Sequence, residues 1–196
     1  MSLHDAARDG DLEALRDRIE RGDDVDGRDE IDRTPLMWAC FEGHHECAQA
    51  LVDAGAAVDQ VENDGKTALM FACNNGYHEC AQALINAGAS VDMVNNNGNT
   101  ALMHACNNGH QECAQALIDA SAAVDMVTNN GYTALMFACD EGHHECALAL
   151  IEAGASVDMV NDNGRTALMY ACVSGHQECA QALIVAHADL ALTHRD

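Results

Sequence analysis

Apolar and polar positions recur along this chain at helical spacing, in pairs of short stripes. In segment 65–97, Leu69, Ala72 and Cys73 stand at i, i+3 and i+4, and after a polar interval Cys80, Ala83, Leu84 and Ala87 form a second stripe. The pattern predicts two short helices. The first follows Thr67, a good N-cap, and stops at Asn75-Gly76. The second opens near His78-Glu79, where the carboxylate suits the positive helix end, and is ended by Gly88. Ala-Ser-Val-Asp-Met-Val then leads into Asn-Asn-Asn-Gly, which is turn chemistry.

The whole pattern repeats. Cysteines at 40, 73, 106, 139 and 172, and again at 47, 80, 113, 146 and 179, advance by 33 residues each time. Segments 65–97 and 98–130 match at 25 of 33 positions, as recent duplication or consensus design would produce. In the first full unit Pro35 falls at the first helical position, where its missing N–H costs nothing. Units this small cannot bury their stripes alone, so stacked neighbours must supply the core. The expected organisation is one continuous solenoid: a capping unit over 1–31, repeats over 32–64, 65–97, 98–130 and 131–163, and a last unit over 164–196.

With Thr34-Pro35-Leu36-Met37, Gly43-His44, Glu46 and Gly55-Ala56-Ala57-Val58 in register, and equivalents in all five full units, the chain resembles the ankyrin repeat family. The resemblance implies an all-α, helix-turn-helix repeat solenoid with projecting β-turn loops. The first unit looks like the family's capping repeat, with Arg8, Arg16, Arg18 and Arg21 on an outer polar face. Some positions depart from the family pattern. Met37, Met70, Met103, Met136 and Met169 replace the usual His, so thioether packing must replace its hydrogen bonds. Ser121 and His187 replace the glycine that ends the second helix, predicting weaker or altered turns. The last unit carries Ala180, Ala182, Leu183, Ile184 and Val185 like an internal repeat, with only His187, Asp189, His194 and Arg195 to make its face polar, so self-association there is an open expectation.

Thirty-two acidic against 9 basic side chains give a formal charge of −23, which repels nucleic acid and anionic membrane surfaces and attracts a basic protein or peptide. The start MSLHDAARDG is too polar for a secretory signal, and no apolar run approaches the ~20 residues of a membrane span. The reading is an intracellular, cytoplasmic protein whose ten cysteines are reduced thiols.

Gly43-His44-His45-Glu46-Cys47, with Cys40 nearby, has zinc-ligand residue types at i, i+3 spacing. Yet Tyr77 replaces the first His in one unit, and Gln111 and Gln177 replace the second in two, while the Cys is constant. That favours thiols as small core residues over a metal or thiol protein, and no cofactor is expected. Nearly every candidate catalytic group is stamped out five times and no nucleophile–base set stands apart, so no enzymatic activity is expected.

Function is sought where units differ. By the family's usual contact surface, a concave groove of turns and first helices, the resemblance assigns partner binding to Arg33, Lys66, Asn99, Tyr132 and Arg165 beside the turns. It adds Phe41-Glu42, Asn74, Asn107, Asp140-Glu141 and Val173 at first-helix ends. Arg33, Phe41, Tyr132 and Arg165 are the strongest anchors, while the Asn runs equally serve turns. A ladder of Trp38, Phe71, His104, Phe137 and Tyr170 either lines the groove or packs between first helices, packing being favoured. Two readings stay open: an interaction module that binds a protein or peptide through the groove, and a consensus-like or engineered structural scaffold without a natural partner.

Overall fold

A computed structural model describes residues 1–187. First helices α1 (Leu3–Asp9), α3 (Pro35–Glu42), α5 (Ala68–Asn75), α7 (Ala101–Asn107), α9 (Ala134–Glu141) and α11 (Ala167–Ser174) alternate with second helices α2 (Leu12–Glu20), α4 (His45–Asp53), α6 (His78–Asn86), α8 (Gln111–Asp119), α10 (His144–Glu152) and α12 (Gln177–Val185). No strand occurs among the described residues. Each first helix packs on the first helices before and after it, each second helix likewise, and the two of a unit on each other. The core is therefore a continuous double layer along the array.

Local chemistry sets the helix limits. Thr34, Thr67, Thr100, Thr133 and Thr166 are all buried, and each hydroxyl accepts the N–H of the methionine three residues on, at 3.2–3.3 Å. Met37, Met70, Met103 and Met136 are buried in the continuous core. Asp11 caps α2 through the Ala14 N–H, but the later second helices start without a side-chain cap, because the residue there turns its ring onto the preceding unit. The His110 imidazole covers Gly76, and the His143 imidazole covers Gly109. A Cβ on either glycine would stand 2.5 Å from ring Nδ1, and both have φ above +70°. These glycines answer two demands at once, a left-handed turn and a close approach. The ring Nε2 of His44, His110 and His176 then reaches Arg8, Asn74 and Asp140 carbonyls of the preceding unit.

Successive units are also stitched at the projecting turns. Backbone hydrogen bonds run from Asn96 to Asp64, Asn129 to Asn97 and Asp162 to Asn130. The carboxylates of Asp59, Asp92 and Asp125 accept the N–H groups of Ser90, Ala123 and Ser156 from the next unit.

The turns at Ser121 and His187, expected to be weaker or altered, keep the backbone geometry of a glycine turn. Both residues adopt φ of 65°, and Ser121 keeps the turn hydrogen bond to Ile118 that Gly88 makes to Ile85. The non-glycine residue is strained and the turn is preserved, so Ser121→Gly is expected to raise the free energy of unfolding by about 1 kcal/mol, read from urea denaturation.

At the far end Val173 is 75% exposed and Val185 67%, and Cys172 is open where its counterparts are buried. Asp189, His194 and Arg195, invoked above for the polarity of this end, lie outside the described residues.

Candidate functional site

One series of positions that differ between units lies beside the projecting turns. Arg33, Lys66, Asn99, Tyr132 and Arg165 are each half-buried, one per turn, directly before the capping threonine. Behind them a buried or nearly buried residue anchors each turn. Asp29, Asn95 and Asn161 accept two turn N–H groups on one side-chain oxygen, Glu62 accepts that of Lys66, and Thr128 accepts that of Tyr132. The asparagines at 95 and 161 thus serve the turn.

The ladder packs against the core, although Tyr170 also borders a recess. Phe71 and Tyr170 are buried, and Trp38 and Phe137 lie half-buried against the core. Its polar members bond to the turn anchor nine residues earlier. The Trp38 indole N–H donates to Asp29 at 2.7 Å, the Asn161 amide donates to the Tyr170 hydroxyl at 2.8 Å, and the Asn95 amide nitrogen lies 3.5 Å from His104 Nε2. Sequence reasoning missed this pairing. Its signal was present: polar ladder residues follow Asp or Asn anchors, while the phenylalanines follow Glu62 and Thr128.

His104 is held neutral. Because Asn95 Oδ1 already accepts from Asn97 and Asn99, its nitrogen must face the imidazole, which can only accept. Burial, then the nearby Lys66 charge, lowers the His104 pKa to about 4.

The cations on this face have a common setting. The Arg33 guanidinium lies 4.6 Å from the Trp38 ring, 4.9 Å from Phe41 and 4.6 Å from Phe71. These three rings meet edge to face, at 85° and 83°. Lys66 sits 5.9 Å from Phe71 and Arg165 5.7 Å from Tyr170. Arg8, Arg18, Arg21 and Arg28 form ion pairs, whereas among the described residues none joins Arg33, Lys66 or Arg165 to a carboxylate. Beside Arg165, an open recess of about 730 Å³ is lined by Tyr132, Asn161, Asp162, Asn163, Gly164, Arg165 and Tyr170. Tyr132 stacks on Phe137 at 5.3 Å.

The remaining expected contacts are less free. The Asn74 side chain accepts from Asn108, and its carbonyl is bonded to His110. The Asp140 carboxylate accepts from Ser174. Phe41 is half-buried against Trp38, while Glu42, Glu141 and Val173 are exposed and Asn107 is half-buried.

Thiols pair across units. The first-helix thiols of Cys40, Cys73, Cys106 and Cys139 are raised above the ordinary range, first by hydrogen bonds with Cys80, Cys113, Cys146 and Cys179 and then by burial. Among the described residues no three His, Cys, Asp or Glu side chains converge as metal ligands would. No described helix is long and apolar enough to cross a membrane.

An array of stacked two-helix units with projecting turns is a helical repeat protein. The family model for ankyrin repeats in three copies matches residues 3–95, 79–161 and 122–194, and the chain belongs to the ankyrin repeat family. Members of this family are generally non-enzymatic protein–protein interaction modules. Among solved structures it is similar to the human ASB11 ankyrin repeat domain (31% identity, 99% of this chain and 87% of that one, TM-score 0.88). It is also similar to a chain in the structure of a predatory endopeptidase from Bdellovibrio bacteriovorus in complex with an immunity protein (30% identity, 94% and 97% covered, TM-score 0.84). Among curated proteins, acyl-CoA-binding domain-containing protein 1 of Arabidopsis thaliana is 46% identical over 50 residues, 26% of this chain and 15% of that protein.

Proposed function

We propose that the chain is a non-enzymatic module that binds another protein or peptide through the face formed by its turns and first helices. One observation carries this reading. The first-helix Leu, Ala and Cys of the internal units are buried, whereas Arg33, Lys66, Asn99, Tyr132 and Arg165, one series that differs from unit to unit, stand half-exposed beside the turns. Variation there alters recognition without touching the core. The similar structure that contains an immunity protein is itself a protein–protein complex, which supports the same use of the fold. Pre-packed aromatic and arginine side chains make economical anchors, because little side-chain freedom remains to be lost on binding.

The test is differential capture from extracts of the cells that express the protein. A triple variant, Arg33→Ala, Tyr132→Ala and Arg165→Ala, is expected to lose a partner at least about tenfold, the scale of one or two anchors. A control altered on the second helices, at Gln49, Gln82 and Gln115, should retain it. Circular dichroism must show both variants folded. Capture that is indifferent to the anchor face would leave the array as a structural scaffold.

A further inference from the structure

We propose that the recess between Tyr132 and Arg165 receives a carboxylate, supplied by an Asp or Glu side chain of the bound protein segment. The inference rests on the reading of this face as the partner-binding one. It follows from accounting for each proton in a short chain of hydrogen bonds. Asn161 Oδ1 accepts the backbone N–H groups of Asn163 and Arg165, both at 3.0 Å, which fixes the amide so that its nitrogen donates to the Tyr170 hydroxyl at 2.8 Å. Tyr170 is only 4% exposed, so its own proton needs an acceptor inside the protein, and the Tyr132 oxygen lies 2.6 Å away. The Tyr132 O–H is then the one proton left over. Among the described residues it has no acceptor, and it sits at the rim of the recess.

Arg165 lines the same recess. Its charge is close enough to Tyr132 to act on that phenol, it lies over the Tyr170 ring, and among the described residues no ion pair occupies it. A phenol O–H and a guanidinium on one recess are all donors, so the complementary group is an acceptor with negative charge. Stacking on Phe137 holds the Tyr132 ring in place before anything binds. The local acidity sets the charge of the guest. Asp162 lines the recess and Asp140 acts on Tyr132. A dianion doubles its attraction to Arg165 and its repulsion from these carboxylates alike, and two acidic groups against one guanidinium tip the balance to a monoanionic carboxylate over a phosphate dianion. The long-range field of the whole protein favours basic partners, whereas this recess selects what touches it at contact distance.

The test follows the Tyr132 ring and Arg165 Nε–Hε resonances by NMR during titration with acetate against chloride, at constant ionic strength and pH 6.5. Saturable shifts at both residues are expected. Tyr132→Phe, which deletes the O–H and keeps the stacked ring, should weaken acetate binding by about tenfold, the worth of one charge-assisted hydrogen bond. Unmoved resonances, an unchanged Tyr132→Phe titration, or shifts at Arg8, Arg18 and Arg21 as large as at Arg165 would each overturn the assignment, the last as diffuse counterion binding. In a parallel titration at pH 8, where inorganic phosphate is chiefly the dianion, phosphate that saturates below acetate would overturn it too. Anchor-face-dependent partner capture with a silent acetate titration would remove only the carboxylate, whereas loss of face-dependent capture would remove the reading beneath it.

Discussion

Leu117→Ala is expected to lower the free energy of unfolding by about 3–4 kcal/mol, the cost of emptying a fully buried leucine site. Leu117 is 0% exposed in α8, which lies toward the middle of the array and packs on both α6 and α10. Stability in such an array is close to a sum of unit and nearest-neighbour terms, so a central loss divides the stack as well as weakening it. Urea unfolding should accordingly shift to a lower midpoint and broaden toward two steps, and hydrogen exchange should place the earliest opening in residues 98–130. Leu148→Gln is the matched control. Leu148 is half-buried on α10 where other units carry Gln49, Gln82, Gln115 and Gln181, so its change should cost under about 1 kcal/mol.

The second large effect is a dependence on acid. His104 ionises at about 4 in the folded protein against 6.5 for the free side chain. On acidification the unfolded chain therefore takes up this proton first, and stability falls. The contribution is fully present above pH 6.5 and is lost as the pH drops from about 6.5 to about 4, up to about 3 kcal/mol for a shift of this size. Carboxylates titrate in part of the same range, so the measurement is the difference between the protein and His104→Tyr. That substitution copies the Asn161–Tyr170 pair of the last full unit, leaving an acceptor for the Asn95 amide that does not charge in acid. Chemical denaturation at pH 7.5, 6.0, 5.0 and 4.5 is expected to show the difference growing toward acid. Parallel curves for the two proteins would mean that His104 does not carry this term.

Helix limits were legible in the sequence because they depend on near neighbours. Thr67 caps Met70 three residues away, and Gly76 needs only its own φ. The buried thiols were legible as a constant small residue in a repeating stripe. What Arg33 does was not, since its setting joins Trp38 and Phe41 of its own unit to Phe71 of the next, and no pattern along one unit reports that contact. The role of Tyr132 was hidden for a similar reason. As one polar aromatic in a variable row it is a plausible anchor. That its hydroxyl proton is the spare one emerges only after Asn161 and Tyr170 are placed. At Ser121 sequence logic identified the strained position, and the structure adds that the strain leaves the turn's geometry intact, its φ and its hydrogen bond to Ile118 matching those of the glycine turns.

The near-identity of the units gives the array a property that a globular domain lacks: its anchors are spaced in whole steps. Arg33 and Arg165 stand at the same place in units four apart, and neighbouring first helices lie roughly 8–10 Å from one another. Removing one internal unit would leave every kind of interface intact, because Cys73 on Cys113 and Cys106 on Cys146 are the same joint. Only the span between the aromatic box of Arg33 and the recess of Arg165 would shorten, by one helix diameter. The chain is in this sense a ruler graduated in repeats, able to change the length of partner it measures without redesigning a single contact of its core.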